Sequence, residues 1–248
     1  MALITFTSDF GLSDHYVGQI KGTFLSINSS QTIIDISHQV QSYDITHMAF
    51  VLDSVFRDFP KGTIHFVGMD DEAGYMIAWV EEHYFVVPNN GVISLITDRK
   101  PDLLINIQSE GNTLKKAAET AVKLASGEAP ESFGRPVGNY KEYSKRKPRA
   151  TKKEMAGHII RVDHFGNLIT NIKQTDFQIL SKERGYTIHF GREVLKAVNE
   201  KMNQVEPGDI FAKFNDNEQL VLGIYQGNGA QLLGLSFDSP VTIVFQES

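Results

Sequence analysis

Carboxylates stand where the chain turns after two of its β-rich runs. Asp9 and Asp14 flank Gly11 just beyond residues 3–8 (LITFTS), and Asp70 and Asp71 follow residues 63–69 (TIHFVGM). In a layered α/β sheet, ligands gather at the carboxyl ends of the strands, where loops from several strands converge. Acidic groups there suit a sugar diol or a cationic substrate. They equally suit a plainer task, with Asp9 and Asp14 receiving turn amides, and the residues alone leave both readings open. Further on, Asp163-His164-Phe165-Gly166-Asn167 puts polar side chains and an aromatic ring on a glycine-containing turn. Such a turn has the shape to grip a flat heterocycle.

Other chemistries are excluded by missing motifs. The chain has no GxxxxGK[ST] loop, no GxSxG elbow, no HExxH and no cysteine. P-loop nucleotide binding, thiolate catalysis and cysteine-ligated zinc therefore drop out. Neither a metal nor a resident cofactor is expected. The histidines form no ligand pattern, and His38 with His47, or His164 with His189, would meet only through the fold. Thirty acidic against 24 basic residues give a charge of -6, which offers nucleic acid no general attraction. The exception is residues 141–153 (KEYSKRKPRATKK), a basic run broken by Pro148 that reads as a solvated linker. No stretch approaches the roughly 20 apolar residues of a membrane span, and the N-terminus lacks a basic, signal-like start. The expectation is a cytoplasmic protein with neither nucleic-acid nor membrane partners.

The elements that must position these groups change character along the chain. Residues 3–8, 32–36 and 63–69 read as strands, and 75–80 and 83–87 as two more that meet at Glu81-Glu82. Helical spacing begins at Tyr16 with Val17, Ile20, Phe24 and Ile27. Asp44 can cap a second helix whose apolar positions are Ile45, Met48, Ala49, Leu52, Val55 and Phe56. A further helix over 113–125 turns Leu114, Ala117, Ala118, Ala121 and Leu124 inward. Strands separated by helices predict an α/β domain over residues 1–127 with a mostly parallel central sheet. Residues 128–155 lose all periodicity and read as a linker. Beyond them, residues 157–163, 186–190, 209–214, 219–225 and 240–245 are short β-rich runs, with one weak helix near 175–182. They predict a β-barrel domain over 156–248.

The order of these residues carries a resemblance. Thr7-Ser8-Asp9-Phe10-Gly11-Leu12-Ser13-Asp14, Tyr16-Val17-Gly18, Asp35-Ile36-Ser37-His38, Phe59-Pro60-Lys61-Gly62-Thr63 and Tyr84-Phe85-Val86-Val87-Pro88-Asn89-Asn90-Gly91 occur in register. Gly157-His158-Ile159, Phe165-Gly166-Asn167, Thr170-Asn171-Ile172 and Leu233-Gly234-Leu235 follow. Together they resemble the S-adenosyl-L-methionine hydroxide adenosyltransferases, the family that includes bacterial fluorinase and chlorinase. The resemblance implies hydrolysis of S-adenosyl-L-methionine at its 5′ carbon to adenosine and L-methionine. It also implies a homotrimer with sites between subunits. By position it makes Asp70 catalytic and places Asp9, Asp14 and Tyr43 beside the substrate. Asp163 would receive the methionine amino group, Phe165 and Asn167 would share the adenosyl-binding loop, and Ile224, Tyr225, Gln226 and Gly227 would read adenine.

The chain also departs from the family pattern. Asp70-Asp71-Glu72-Ala73-Gly74-Tyr75 is short and lacks the family's arginine, Asn112 stands in place of a histidine, and Asp216 in place of a serine near the amino-acid end of the substrate. Asn112 cannot act as a base near neutral pH. Two alternatives therefore stand beside the hydrolase: a non-catalytic adenosyl- or nucleoside-binding protein, and an enzyme acting on another adenosyl compound. Lys115, His65 and Tyr75 are the candidates to compensate.

Overall fold

The structure is a computed structural model that describes residues 2–69, 74–108, 113–182 and 184–246. The chain divides into two compact units, Met1–Lys145 and Arg146–Ser248.

The first unit contains strands β1 (Ile4–Ser8), β2 (Ile33–Ser37), β3 (Ile64–Gly68), β4 (Tyr75–Val80), β5 (His83–Pro88), β6 (Leu103–Ile107) and β7 (Gly134–Pro136). Its helices are α1 (Tyr16–Ile27), α2 (Ile45–Asp53), α3 (Val92–Ile96) and α4 (Thr113–Ala125). The strands form one sheet in the order β2-β1-β3-β5-β4-β6-β7. Pairing is parallel from β2 to β5 and antiparallel from β5 to β7. The parallel half points the ends of β1, β2 and β3 the same way, which makes one rim of loops.

Both faces of the sheet are covered, and every residue of β1 and β3 is buried. On one face, α1 lays Val17, Ile20 and Phe24 against Phe6 and Phe66, and α4 adds Ala117, Ala118 and Ala121. Phe24 meets Phe66 edge-on at 5.3 Å. Ile27, expected inward, is 41 % exposed at the end of the helix. On the other face, Met48, Ala49 and Leu52 of α2 pack with Val67, Phe85 and Val87. Asp44 caps α2 as expected, its side chain accepting from His47 N–H at 3.0 Å. That helix ends at Asp53, and Phe56 belongs to a short 3-10 turn.

The second unit contains β8 (Arg149–Ala150), β9 (Glu154–Val162), β10 (Leu168–Lys173), β11 (Tyr186–Phe190), β12 (Glu193–Leu195), β13 (Ile210–Phe214), β14 (Gln219–Ile224) and β15 (Pro240–Phe245), with α5 (Gln174–Ser181) and α6 (Gly229–Leu233). They form an antiparallel, barrel-like sheet in the order β12-β11-β15-β9-β10-β14-β13, with β8 paired to β9. Its core joins Met155, Ile159, Leu168, Ile188, Leu222, Ile243 and Phe245, and Phe177 of α5 packs into it.

The α/β and barrel-like architectures agree with the sequence. Seven elements were not visible there: α3, β6, β7, β8, β10, β12 and α6. Residues 134–136 pair with β6 and residues 149–150 with β9, so part of the aperiodic stretch is built into the two sheets. Such two- and three-residue strands are too short to show a period.

Candidate functional site

Asp9 follows β1 directly and marks the rim of the parallel half-sheet. Gly11, at φ 70°, turns the chain away, a backbone state that glycine adopts without steric cost. Its N–H donates to the His38 carbonyl at 2.7 Å. Across the rim, the residues before α2 are tightly fastened. Gln41 N–H donates to His47 Nδ1 at 2.9 Å, and Asp44 N–H to the Gln41 carbonyl at 3.0 Å. Burial pushes the Asp44 carboxyl upward, but hydrogen bonds from Thr46 and His47 outweigh it and hold it below the usual carboxylate range.

That anchoring holds Tyr43 at φ 64°, which is uncommon for a residue with a side chain. Its N–H donates to Asp9 Oδ2 at 2.9 Å, while its ring is 74 % exposed. The outcome is a fixed carboxylate beside a bare aromatic ring, and strained backbone of this kind gathers at functional sites. Asp14 is exposed and accepts from Ser13 Oγ at 3.3 Å. Asp70, the expected catalytic acid, lies outside the described residues, as does Asn112.

In the second unit, the turn between β9 and β10 is organised by Asp163. Its Oδ1 accepts from the N–H groups of Phe165 and Asn167 at 2.9 and 2.8 Å, and its Oδ2 from Asn167 Nδ2 at 2.9 Å. Phe165 is left 74 % exposed. The turn interlocks with the loop after β14. The Gly166 carbonyl accepts from Ala230 N–H at 2.9 Å. A Cβ on Gly166 would meet the Asn228 side chain at 2.2 Å, and one on Gly223 would meet Asn167 Oδ1 at 2.5 Å. Ile224 is buried, and Gln226 is exposed at φ 58°. The fold thus gathers Asp163, Phe165, Asn167 and residues 224–227 at one end of β14, offering an aromatic ring next to backbone polar groups.

The remaining candidates stand elsewhere. Asp216 is at the exposed tip of the β13–β14 hairpin, about six strand residues, or roughly 20 Å, from the Asp163 turn. His65 is 1 % exposed near the start of β3, bonded to Thr5 Oγ1 and His83 Nδ1. It sits about four residues, or roughly 13 Å, from the rim. Tyr75 is 2 % exposed, and its hydroxyl donates to the Met69 carbonyl at 2.9 Å and accepts from Met69 N–H at 3.2 Å. It therefore acts as a clasp on the end of β3. Lys115 is exposed and lines a shallow depression with Tyr16, Gln19, Ile20, Thr23 and Leu114. Sequence reasoning assigned no part to Asn228, and it marked His38 only as a possible partner of His47 and within the block Asp35-Ile36-Ser37-His38.

Comparison with known proteins bears on both units. Residues 4–134 match the model of the SAM hydroxide adenosyltransferase N-terminal domain, and residues 157–242 that of the C-terminal domain. A protein of Methanocaldococcus jannaschii named (R)-S-adenosyl-L-methionine hydrolase is 26 % identical, over 98 % of this chain and 96 % of its own. A fluorinase of Nocardia brasiliensis is 24 % identical over 72 % of this chain and 73 % of its own. The crystal structure of an uncharacterized conserved protein from Thermotoga maritima superposes with a TM-score of 0.89 at 27 % identity, covering 98 % of this chain and 100 % of that one.

Proposed function

Because the chain belongs to the SAM hydroxide adenosyltransferase family, matched in both of its units, we propose that it hydrolyses S-adenosyl-L-methionine to adenosine and L-methionine. In this reaction a water oxygen forms a bond to the 5′ carbon as the carbon–sulfur bond breaks. The bonding pair returns to sulfur, giving the neutral thioether of methionine, and one water proton passes to solvent. The sulfonium already activates the leaving group, so the protein's task is to hold water and substrate in line.

The observation that carries this reading is that each unit builds its own half of the expected site: the first a fixed strand-end carboxylate, Asp9, bonded to the Tyr43 N–H, and the second a braced turn that presents Phe165. In it, Asp9, Asp14 and Tyr43 hold the ribose and sulfonium region, and Asp70 orients the water. Phe165 stacks on adenine and Asn167 fixes that loop. The backbone from Ile224 through Tyr225 and Gln226 to Gly227 meets the adenine edge. Asp163 braces the turn and receives the substrate's amino group. We also propose a cytoplasmic homotrimer with its sites between subunits, as the family resemblance implies.

Incubation in heavy-oxygen water with S-adenosyl-L-methionine tests the chemistry. Adenosine and methionine should form in equal amounts, with the label in the adenosine 5′-hydroxyl. Folded protein that yields no adenosine above the uncatalysed background refutes it. One observation favours a second reading: residues 70–75 contain no arginine and position 112 is asparagine. A nucleoside-binding protein without turnover would bind adenosine in a calorimeter and release no methionine.

A further inference from the structure

One histidine that the proposed reaction does not use fastens the Asp9 loop from two sides. His38, just beyond β2, is 4 % exposed. Its Nδ1 lies 2.7 Å from Ser8 Oγ, and its carbonyl accepts from Gly11 N–H at 2.7 Å. Ser8 and Gly11 bracket Asp9 and Phe10, and Ser8 Oγ accepts from Phe10 N–H at 3.5 Å. On its far side, His38 Nε2 faces Asp35 Oδ1 at 3.2 Å, within ion-pair range though off the line of a hydrogen bond. Lys21 of α1 holds the other Asp35 oxygen. Burial pushes the Asp35 carboxyl up, but the hydrogen bond from Lys21 and the nearby His38 imidazole outweigh it and keep it below its ordinary value. Phe6 packs edge-on against the imidazole at 4.6 Å.

Ser8, His38 and Asp35 share their residue types with a hydrolase triad, but Ser8 is fully buried and no substrate carbon can reach it. The constellation suits support. Ser8 Oγ accepts a backbone N–H, so its own proton is available to Nδ1. With Nδ1 taken up by Ser8, the other ring nitrogen is turned toward the Asp35 carboxylate.

We propose that His38 is the positioning residue for Asp9, setting where that carboxylate meets the adenosyl ligand, with Asp35 and Lys21 holding the imidazole in register. The inference rests on the reading of Asp9 as a ligand-binding group. The position of such a carboxylate matters, because a displacement of about 1 Å can cost on the order of a hundredfold in rate.

The test uses the full chain with His38→Leu, His38→Asn and Ser8→Ala. Adenosine affinity is read by calorimetry, kcat and KM with S-adenosyl-L-methionine, and Gly11 and Tyr43 amide exchange by NMR. His38→Leu should weaken adenosine binding and raise KM about tenfold or more, and speed both exchange rates. His38→Asn, whose amide oxygen can take the place of Nδ1, should stay within about threefold of wild type. A folded His38→Leu protein with wild-type affinity overturns the proposal, and so do Leu and Asn variants that are equally weak. Should His38→Leu fail to fold, Ser8→Ala decides: several-fold weaker binding supports the inference, and unchanged binding overturns it. If wild type binds no adenosyl compound, the functional reading fails on its own. Exchange at Gly11 and Tyr43 then still decides whether His38 holds the loop.

Discussion

Acid should unfold this protein earlier than its carboxylates alone require, and the cause is His65. Its ring lies wholly inside the first unit, stacked on Phe85 at 4.9 Å, with Nδ1 2.8 Å from Thr5 Oγ1 and Nε2 3.2 Å from His83 Nδ1. Burial pulls its pKa down to about 3, and the neighbouring His83 adds to the effect. The unfolded chain takes up a proton near pH 6.5 that the folded chain refuses, so folding is undiminished above that value and weakens as pH falls toward 3. At about 1.4 kcal/mol per unit, the loss from His65 is about 2 kcal/mol at pH 5 and about 5 kcal/mol by pH 3. Asp35, Asp44 and Glu81 are held below their ordinary values, so their losses come in only near and below about pH 4.5. The window above that belongs to histidines, with His83 and His158 also lowered by burial. His65→Gln removes the titration while retaining a donor and an acceptor, at a cost of about 1–2 kcal/mol near neutrality. Urea unfolding followed by Trp79, the single tryptophan, gives stability from about pH 7.5 to 5. Wild type should lose about 2 kcal/mol more than the variant over that range. Parallel pH profiles for the two proteins would refute the reasoning.

Three further outcomes follow from the same structure. Asp70→Ala should lower initial rates of adenosine release at least about tenfold with little change in Tm; wild-type turnover would remove Asp70 from the chemistry. Tyr75→Phe leaves the Met69 N–H and carbonyl without their hydroxyl partner and should cost about 1–2 kcal/mol, a few degrees in a thermal melt. An unchanged melt would show that the clasp contributes nothing. Glu81 and Glu82 both hold positive φ, 48° and 65°, in the β4–β5 turn, and Glu82→Gly should gain about 0.5–1 kcal/mol in urea unfolding. It forfeits only the exposed pair with Lys61, a kind of contact worth about 0–1 kcal/mol, so a clear loss of stability would mean that this pair outweighs the backbone strain.

What the sequence made legible was local. Asp44 caps a helix three residues away, and spacing alone suggested it; the turn at residues 163–167 was legible too, though not that Asp163 braces residues two and four places on. His38 could not be read this way. It reaches Ser8 because β1 and β2 run in parallel, with Phe6 opposite Asp35 and Thr7 opposite Ser37 after a register shift. Thirty residues and a helix separate the partners, and only the pairing brings them together. Tyr75 shows the same limit from the other direction. Read alone, a tyrosine after a shortened loop has two destinations, the pocket or the core. Alternation along β4 decides between them, since Tyr75 and Ile77 face the core under α1 and α4 while Met76 and Ala78 face the core under α2. The direction of the first residue in a strand thus withdraws Tyr75 from the chemistry. Its hydroxyl is spent on the end of β3, one residue before Asp70. The supports of the rim, His38 and Tyr75, are therefore buried hydrogen-bonding groups. The departures that the resemblance marks fall instead at positions 112 and 216 and in residues 70–74, none of them one of these two supports.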